Sequence, residues 1–175
     1  LIRDVPSDFK NSEILMIDKF TTQRYTSLFN LTLHNYKFYS KDIMKDDLSS
    51  IFNGADVVVH LAALTEATTS LEEPEEYERV NYVGTKNILE LCKKFSVKMI
   101  HFSSTSIYGT TKKVVDENCD KEDINHQSPY AETKFKEETL VQNFFENKGL
   151  KSNTLRLVSI CGNSPAMSLH ASLSK

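Results

Sequence analysis

Short apolar runs alternate along this chain with longer stretches of helical periodicity. "EILMID" (13–18) is an apolar run ending in Asp18, and "YKFY" (36–39) is a weaker strand candidate. "ADVVVHLAA" (55–63) is valine-rich and apolar at successive positions, the pattern of a strand covered on both faces. "VKMIHFSS" (97–104) is similar, and "SNTLRLVSI" (152–160) is the last such run. Between them, "DDLSSIF" (46–52) predicts a short helix. Residues 74–95 predict the strongest helix: Pro74 sits at a first-turn position, with Glu75 and Glu76 beside the positive helix end. Tyr77, Val80, Gly84, Ile88, Leu91 and Phe95 then fall on one stripe. Another helix opens at Pro129, with Leu140, Val141, Phe144 and Phe145 as its buried stripe and Gly149 just past its end.

Strand–helix–strand alternation predicts an α/β fold, a doubly wound parallel sheet with right-handed crossovers and helices on both faces. Ligands in such sheets sit at the carboxyl ends of the strands. That rule directs attention to Asp18, Asp42, Ala62–Thr65, Ser103–Ser106 and Ser159–Gly162. A length of 175 residues fits one domain with a real core. A formal charge of -3 gives no sign of a nucleic-acid or membrane partner, and no apolar run approaches the ~20 residues of a membrane span. Cys92, Cys119 and Cys161 are odd in number and never form a CxxC pair; they read as free thiols in a reducing cytosol, with no metal site expected. Cys92 and Cys161 fit buried structural thiols. The start, "LIRDVPSDFKNSE", is polar and unlike a secretory leader. It lacks Met and reads as the last turn of a helix, while "SPAMSLHASLSK" stops without completing an element. Both flanks are therefore expected to be missing.

Candidate chemistry begins with tyrosine. Three of the seven tyrosines have a lysine four residues on: Tyr82–Lys86, Tyr108–Lys112 and Tyr130–Lys134. Tyr82 lies about 200° round its helix from Val80, so that pair reads as solvated. Tyr108–Lys112 spans Gly109-Thr110-Thr111, a loop. Tyr130–Lys134 falls in the first turns of a helix, where this spacing brings side chains together. It follows a strand whose end carries "SSTS" (103–106). A lysine ammonium one turn away favours the phenolate and is expected to lower the tyrosine's pKa. A neighbouring hydroxyl can hydrogen-bond the oxygen of the alcohol or carbonyl being interconverted. His60 and His101, each within an apolar strand, read as core histidines, and His126 as a loop histidine near Tyr130.

Five stretches in order, "VVVHLAALTEATTS" (57–70), "NYVGTKNILE" (81–90), "HFSSTSIYG" (101–109), "SPYAETK" (128–134) and "LRLVSICGNSP" (155–165), carry a resemblance. Over about residues 13 to 165 the chain resembles the extended short-chain dehydrogenases/reductases, in particular the NAD-dependent epimerase/dehydratase group acting on nucleotide sugars. The resemblance implies a Rossmann-like fold, with residues 1–162 as the NAD-binding domain and 163–175 as the start of a substrate-binding region. It implies Ser104 (or Thr105, if the local turn differs), Tyr130 and Lys134 as the catalytic set, with Lys134 also binding the nicotinamide ribose. Asp18 would accept hydrogen bonds from the adenosine ribose, favouring NAD over NADP, with Arg24 nearby as a counter-indication. Asp42 and Ile43 would flank adenine, and Leu61, Ala62, Ala63 and Leu64 would run under the cofactor. Asn81 would support the site from behind, and Ser103 and Val158 would border the cofactor. Thr65, Thr105, Ser106 and Ser159 would face substrate. The resemblance also suggests a homodimer through the helices at 74–95 and 129–147.

Departures from the family pattern narrow the activity. No GxxGxxG turn is present, so the first strand and the pyrophosphate cradle are expected to be absent and the fold truncated at both ends. The family's 4,6-dehydratases carry Asp-Glu, and its decarboxylases Glu, where Thr105 and Ser106 stand. Ser159 and "CGNSP" replace the Asn and "YGP" common among galactose-type epimerases. Three readings follow: an NAD-dependent nucleotide-sugar epimerase, a reductase or dehydrogenase of a sugar or other carbonyl, and a non-catalytic NAD-binding regulatory protein.

Overall fold

The computed structural model describes residues 9–21, 35–109, 114–119 and 124–158. The chain divides into two compact units, Leu1–Asp46 with Ser159–Lys175, and Asp47–Val158. In the first, β1 (Ile14–Asp18) pairs in parallel with β2 (Tyr36–Ser40), from Ile14 opposite Tyr36 to Asp18 opposite Ser40. Asp18 Oδ1 then accepts the Phe20 N–H at 2.6 Å, turning the chain out of the strand.

The second unit carries a three-stranded parallel sheet in the order β3–β4–β5: β3 (Val57–His60), β4 (Lys98–Ser104) and β5 (Ser152–Leu157). The strands thus form two parallel sheets among the described residues, where the sequence pattern suggested one. β4, in the middle, alternates as a central strand should, burying Met99, His101 and Ser103. β3 differs from the expectation of two covered faces. Among the described residues it lies at the edge of its sheet, and Val57 and Val59 on one face are exposed while His60 on the other is buried.

Two short helices, α1 (Ser49–Phe52) and α2 (Thr69–Glu72), flank β3 in sequence. The long helix expected over 74–95 is present but is not uniform. α3 (Pro74–Tyr77) runs into a π-helical segment, Glu78–Val83, and then α4 (Gly84–Phe95). A π turn holds more residues than an α turn, so it shifts the centre of the buried stripe. Beyond it Gly84 and Ile88 are buried as expected and are joined by Thr85, Leu89 and Cys92, while Leu91 and Phe95 are half-buried. Burial pushes the Cys92 thiol up to about 12, as befits a structural thiol.

α5 (Pro129–Lys148) begins with Ser128, whose Oγ accepts the Ala131 N–H at 3.2 Å, and with Pro129 in its first turn. It ends at Gly149, in the left-handed region at φ 65°. Val141 and Phe144 are buried as expected, but Phe145 is 56% exposed. The stripe runs back from Phe144 through Val141 to Glu137 and Lys134, two charged residues that apolar periodicity passes over. On β5, Arg156 donates to both oxygens of Glu138 on α5 and, through Nη1, to the Tyr108 hydroxyl at 2.7 Å. Gly109 follows at φ 69°, where a Cβ would stand 2.6 Å from the Asn125 carbonyl oxygen, so both the turn and the space require glycine.

Candidate active site

The carboxyl end of β4 leads into a 3₁₀ turn, Thr105–Tyr108, with Ser104 as its N-cap. Ser104 Oγ accepts the Ser106 N–H at 3.2 Å, and the Ser104 hydroxyl acts on the Tyr130 phenol, favouring its ionised form. Tyr130 is held at two further points. Its backbone N–H, one of the donors a helix start leaves without a helical partner, goes to Ser70 Oγ of α2 at 3.2 Å. Its ring meets Tyr77 of α3 edge-on, with centroids 6.4 Å apart. Tyr77 is held in turn by donating its hydroxyl to the Glu66 carbonyl at 2.6 Å.

Lys134 lies one turn on and is buried. Its Nζ donates to the Phe102 carbonyl at 3.1 Å and to Glu137 Oε2 at 3.0 Å. This alters the expected electrostatics. The Tyr130 pKa is raised rather than lowered: burial is the largest cause, the Ser104 hydrogen bond opposes it, and the negative charge of Glu137 and the nearby Tyr77 add to it. Glu137 engages the lysine charge that sequence spacing assigned to the tyrosine.

Behind the pair is a buried polar cluster. Glu137 Oε2 also accepts from His101 Nε2 at 2.8 Å and from the Thr85 hydroxyl at 3.2 Å. The Thr85 proton is committed there, so Thr85 Oγ1 accepts from His60 Nε2 at 3.0 Å. Burial alone would raise the Glu137 carboxyl, but the His101 hydrogen bond and the Lys134 charge outweigh it and its pKa is lowered. Burial, reinforced by the charge of His101, pushes His60 down to about 3.

Asn81, on the π segment, is fully buried and clamps the chain after β3. Its Oδ1 accepts the Leu64 N–H at 2.7 Å and its Nδ2 donates to the Leu64 carbonyl at 2.9 Å. The segment it holds exposes Leu61, Ala62 and Thr65 and half-buries Ala63 and Leu64. Thr105 donates to the Leu157 carbonyl at 3.3 Å, Ser106 is exposed, and Val158 is 72% exposed. Asp42, half-buried in the other unit beside Ile43, accepts the Met44 N–H at 2.9 Å. Ser159, Arg24 and Cys161 lie outside the described residues. His126 rests on the Phe135 ring with centroids 4.9 Å apart.

Residues 8–173 match the model of the NAD dependent epimerase/dehydratase family. The chain belongs to that family. It is 31% identical over 174 residues to a dTDP-D-glucose 4,6-dehydratase of Dictyostelium discoideum, covering 88% of this chain and 39% of that protein. It is 36% identical over 132 residues to a UDP-glucuronate 4-epimerase of Thermodesulfobacterium geofontis, covering 73% and 40%. Among solved structures, a UDP-N-acetylglucosamine 4-epimerase from Methanobrevibacter ruminantium superposes with a TM-score of 0.80 at 28% identity, over 89% of this chain and 50% of that one. The chain thus spans about half the length of the epimerase/dehydratase relatives it matches, and its fold is Rossmann-like. Two features fit the family's cofactor. The Ser103 hydroxyl is buried with no hydrogen-bond partner among the described residues. The Lys134 ammonium has three N–H groups, of which the contacts above use two.

Of the residues the sequence singled out, Ser104, Tyr130, Lys134 and Asn81 fall in the same unit. Sequence reasoning missed Glu137, Thr85, Ser70 and Tyr77 as supports. The available signal was a glutamate three residues after Lys134, a spacing at which two side chains of one helix face meet.

Proposed function

We infer that this epimerase/dehydratase family member acts as an NAD-dependent nucleotide-sugar epimerase, with residues 1–162 forming the cofactor-binding part and 163–175 opening the substrate region. The observation that carries the reading is Ser104 at the carboxyl end of a parallel strand, its hydroxyl acting on the phenol of Tyr130 in the first turn of α5, with no acidic side chain at positions 105 and 106. Tyr130, after giving up its own phenol proton to solvent, takes the proton from a sugar hydroxyl as the phenolate and returns it after the keto sugar has turned over. Ser104 donates a hydrogen bond to the same oxygen. Lys134 offers its remaining N–H to the nicotinamide ribose. Bound NAD supplies the acceptor, and then the donor, of the hydride leaving the sugar carbon. Asp18 supports NAD over NADP, because its carboxylate suits ribose hydroxyls and repels a 2′-phosphate. Leu61 to Leu64, held by Asn81, support a backbone path beneath the cofactor. Elimination chemistry lacks its acid, since Thr105 and Ser106 are neutral and Thr105 is engaged with the Leu157 carbonyl.

The test incubates the protein with NAD and a panel of nucleotide sugars, following reduced nicotinamide by absorbance and products by chromatography. Sugar inversion without net reduced cofactor is the expected result. Stoichiometric reduced cofactor would make the protein a dehydrogenase, and NAD binding with no turnover of any sugar would favour the regulatory reading. Tyr130→Phe should lower turnover by ~10²–10⁴-fold, the usual worth of a positioned acid/base, and leave NAD affinity within a few fold.

A further inference from the structure

Glu137 is an anomaly in the interior of the second unit. It is fully buried, and three donors from two helices and a strand converge on one of its oxygens: Lys134 Nζ on α5, the Thr85 hydroxyl on α4 and His101 Nε2 on β4. Its other oxygen, Oε1, has no hydrogen-bond partner among the described residues. An ion pair of this kind costs desolvation and is weak support for stability by itself. An apolar residue at 137 would continue the Val141–Phe144 stripe without that cost. The carboxylate is also placed where chemistry feels it, since it holds the lysine one turn from Tyr130 and His60 backs it through Thr85.

We propose that Glu137 is a positioning residue, a built-in counter-ion that takes up the charge of Lys134 and, held by Thr85 and His101, sets the proton affinity of Tyr130. The assignment deepens the epimerase reading and rests on Tyr130 being its acid/base. With the lysine charge countered at 3.0 Å, the free protein keeps Tyr130 as a neutral phenol. Lys134 then acts mainly as a tether, through Phe102 O and the Glu137 carboxylate, with one donor left over. The charged and titratable groups around the pair are His101 from β4, His60 from β3, and Tyr77 from α3 against Tyr130.

The test is a spectrophotometric titration of Tyr130 in the free protein, read as the phenolate absorbance lost in the Tyr130→Phe variant. It is run over the pH range where circular dichroism shows the fold intact. Glu137→Gln keeps the side-chain shape and removes the charge. It should bring the Tyr130 midpoint down by about one unit or more, because the Glu137 charge that opposes ionisation of the phenol is removed while the Lys134 ammonium one turn on is left uncompensated. Glu137→Asp, which keeps the charge, should leave the midpoint close to that of the unaltered protein. A Glu137→Gln midpoint that does not move, with thermal stability alone reduced, would overturn the proposal in favour of a structural role. Should Glu137→Gln fail to fold, the charge-balanced Lys134→Met/Glu137→Gln pair decides. A midpoint matching the unaltered protein supports mutual cancellation, and one displaced by more than about half a unit refutes it. No sugar or cofactor enters the titration, so a failure of sugar turnover leaves this result standing.

Discussion

His60 concentrates the electrostatic cost of the buried cluster in one side chain. It is enclosed at the end of β3, donates to Thr85, and is held neutral with its pKa pushed down to about 3. In the unfolded chain its imidazole titrates near the ordinary value of about 6.5. Between those values the unfolded state binds a proton that the folded state refuses, so stability is fully present above pH 6.5 and falls as the pH drops toward 3. Glu137 adds the same sign at lower pH, because its depressed pKa gives stability above the ordinary carboxylate range that is lost below it. Urea unfolding should therefore show a midpoint that falls steeply from pH 7 to pH 4, by an amount on the order of a few kcal/mol. His60→Gln retains an N–H for Thr85 and cannot take the proton. It should flatten the upper part of that fall, between about pH 6.5 and 5, with little change at pH 7.5. Equal pH slopes for the two proteins would show that the acid sensitivity lies elsewhere.

Among the elements, the π segment Glu78–Val83 links fold to site. The extra residue it accommodates buries Asn81 facing the chain after β3, where the amide closes both backbone groups of Leu64. Each buried hydrogen bond is worth about 1 kcal/mol net, and leaving its partner unsatisfied costs about 1–3 kcal/mol. Asn81→Ala should therefore cost roughly 2–4 kcal/mol in denaturant unfolding and weaken NAD binding, measured by calorimetry, more than it weakens the fold of α4 or α5. Unchanged NAD affinity would separate the clamp from the site. The elements themselves were largely legible in the sequence. The apolar runs at 13–18, 97–104 and 152–160 each hold a strand, Pro74 and Pro129 opened helices, and Gly149 closed one. Two things were not legible. A π turn leaves no mark in 3.6-residue periodicity, so Gly84 and Ile88 are buried as expected while the face extends to Thr85, Leu89 and Cys92 and leaves Leu91 and Phe95 half-buried. The buried face of α5 carries Lys134 and Glu137, and a pattern built on apolar residues assigned Phe145 to the core instead. At the candidate site, the Tyr130–Lys134 pair was visible as a one-turn spacing at a helix start, and Ser104 through the family resemblance. Their electrostatics were not, because they depend on Glu137 of the same helix being held by His101 of β4 and Thr85 of α4, with His60 of β3 behind.

For the molecule as a whole, the outward surface of the helices from 74 to 95 and 129 to 148 bears on self-association. The homodimer implied by the family resemblance would have to bury it. That surface is laced with ion pairs: Lys136 to Glu78 and Glu132, each at 3.0 Å, Lys148 to Glu90 at 3.1 Å, and Arg79 to Glu76 at 2.6 Å. Lys93 Nζ donates to the Lys148 carbonyl, joining the two helix ends. The exposed large apolar side chains on these helices are Val83 and Phe145. Exposed pairs of this kind contribute only about 0–1 kcal/mol each where they stand, but burying them in an interface costs the desolvation of every charge. Stable homodimer interfaces run about 65% apolar at their cores, which two isolated side chains cannot supply. The expected state at micromolar concentration and physiological salt is therefore a monomer, with a light-scattering mass near 20.0 kDa. A mass of twice that value, abolished by Phe145→Glu, would show that the helix pair dimerises despite its charge and that Phe145 anchors the contact. The same doubled mass persisting in Phe145→Glu would place the interface on another face, with the exposed β3 residues Val57 and Val59 the next to substitute.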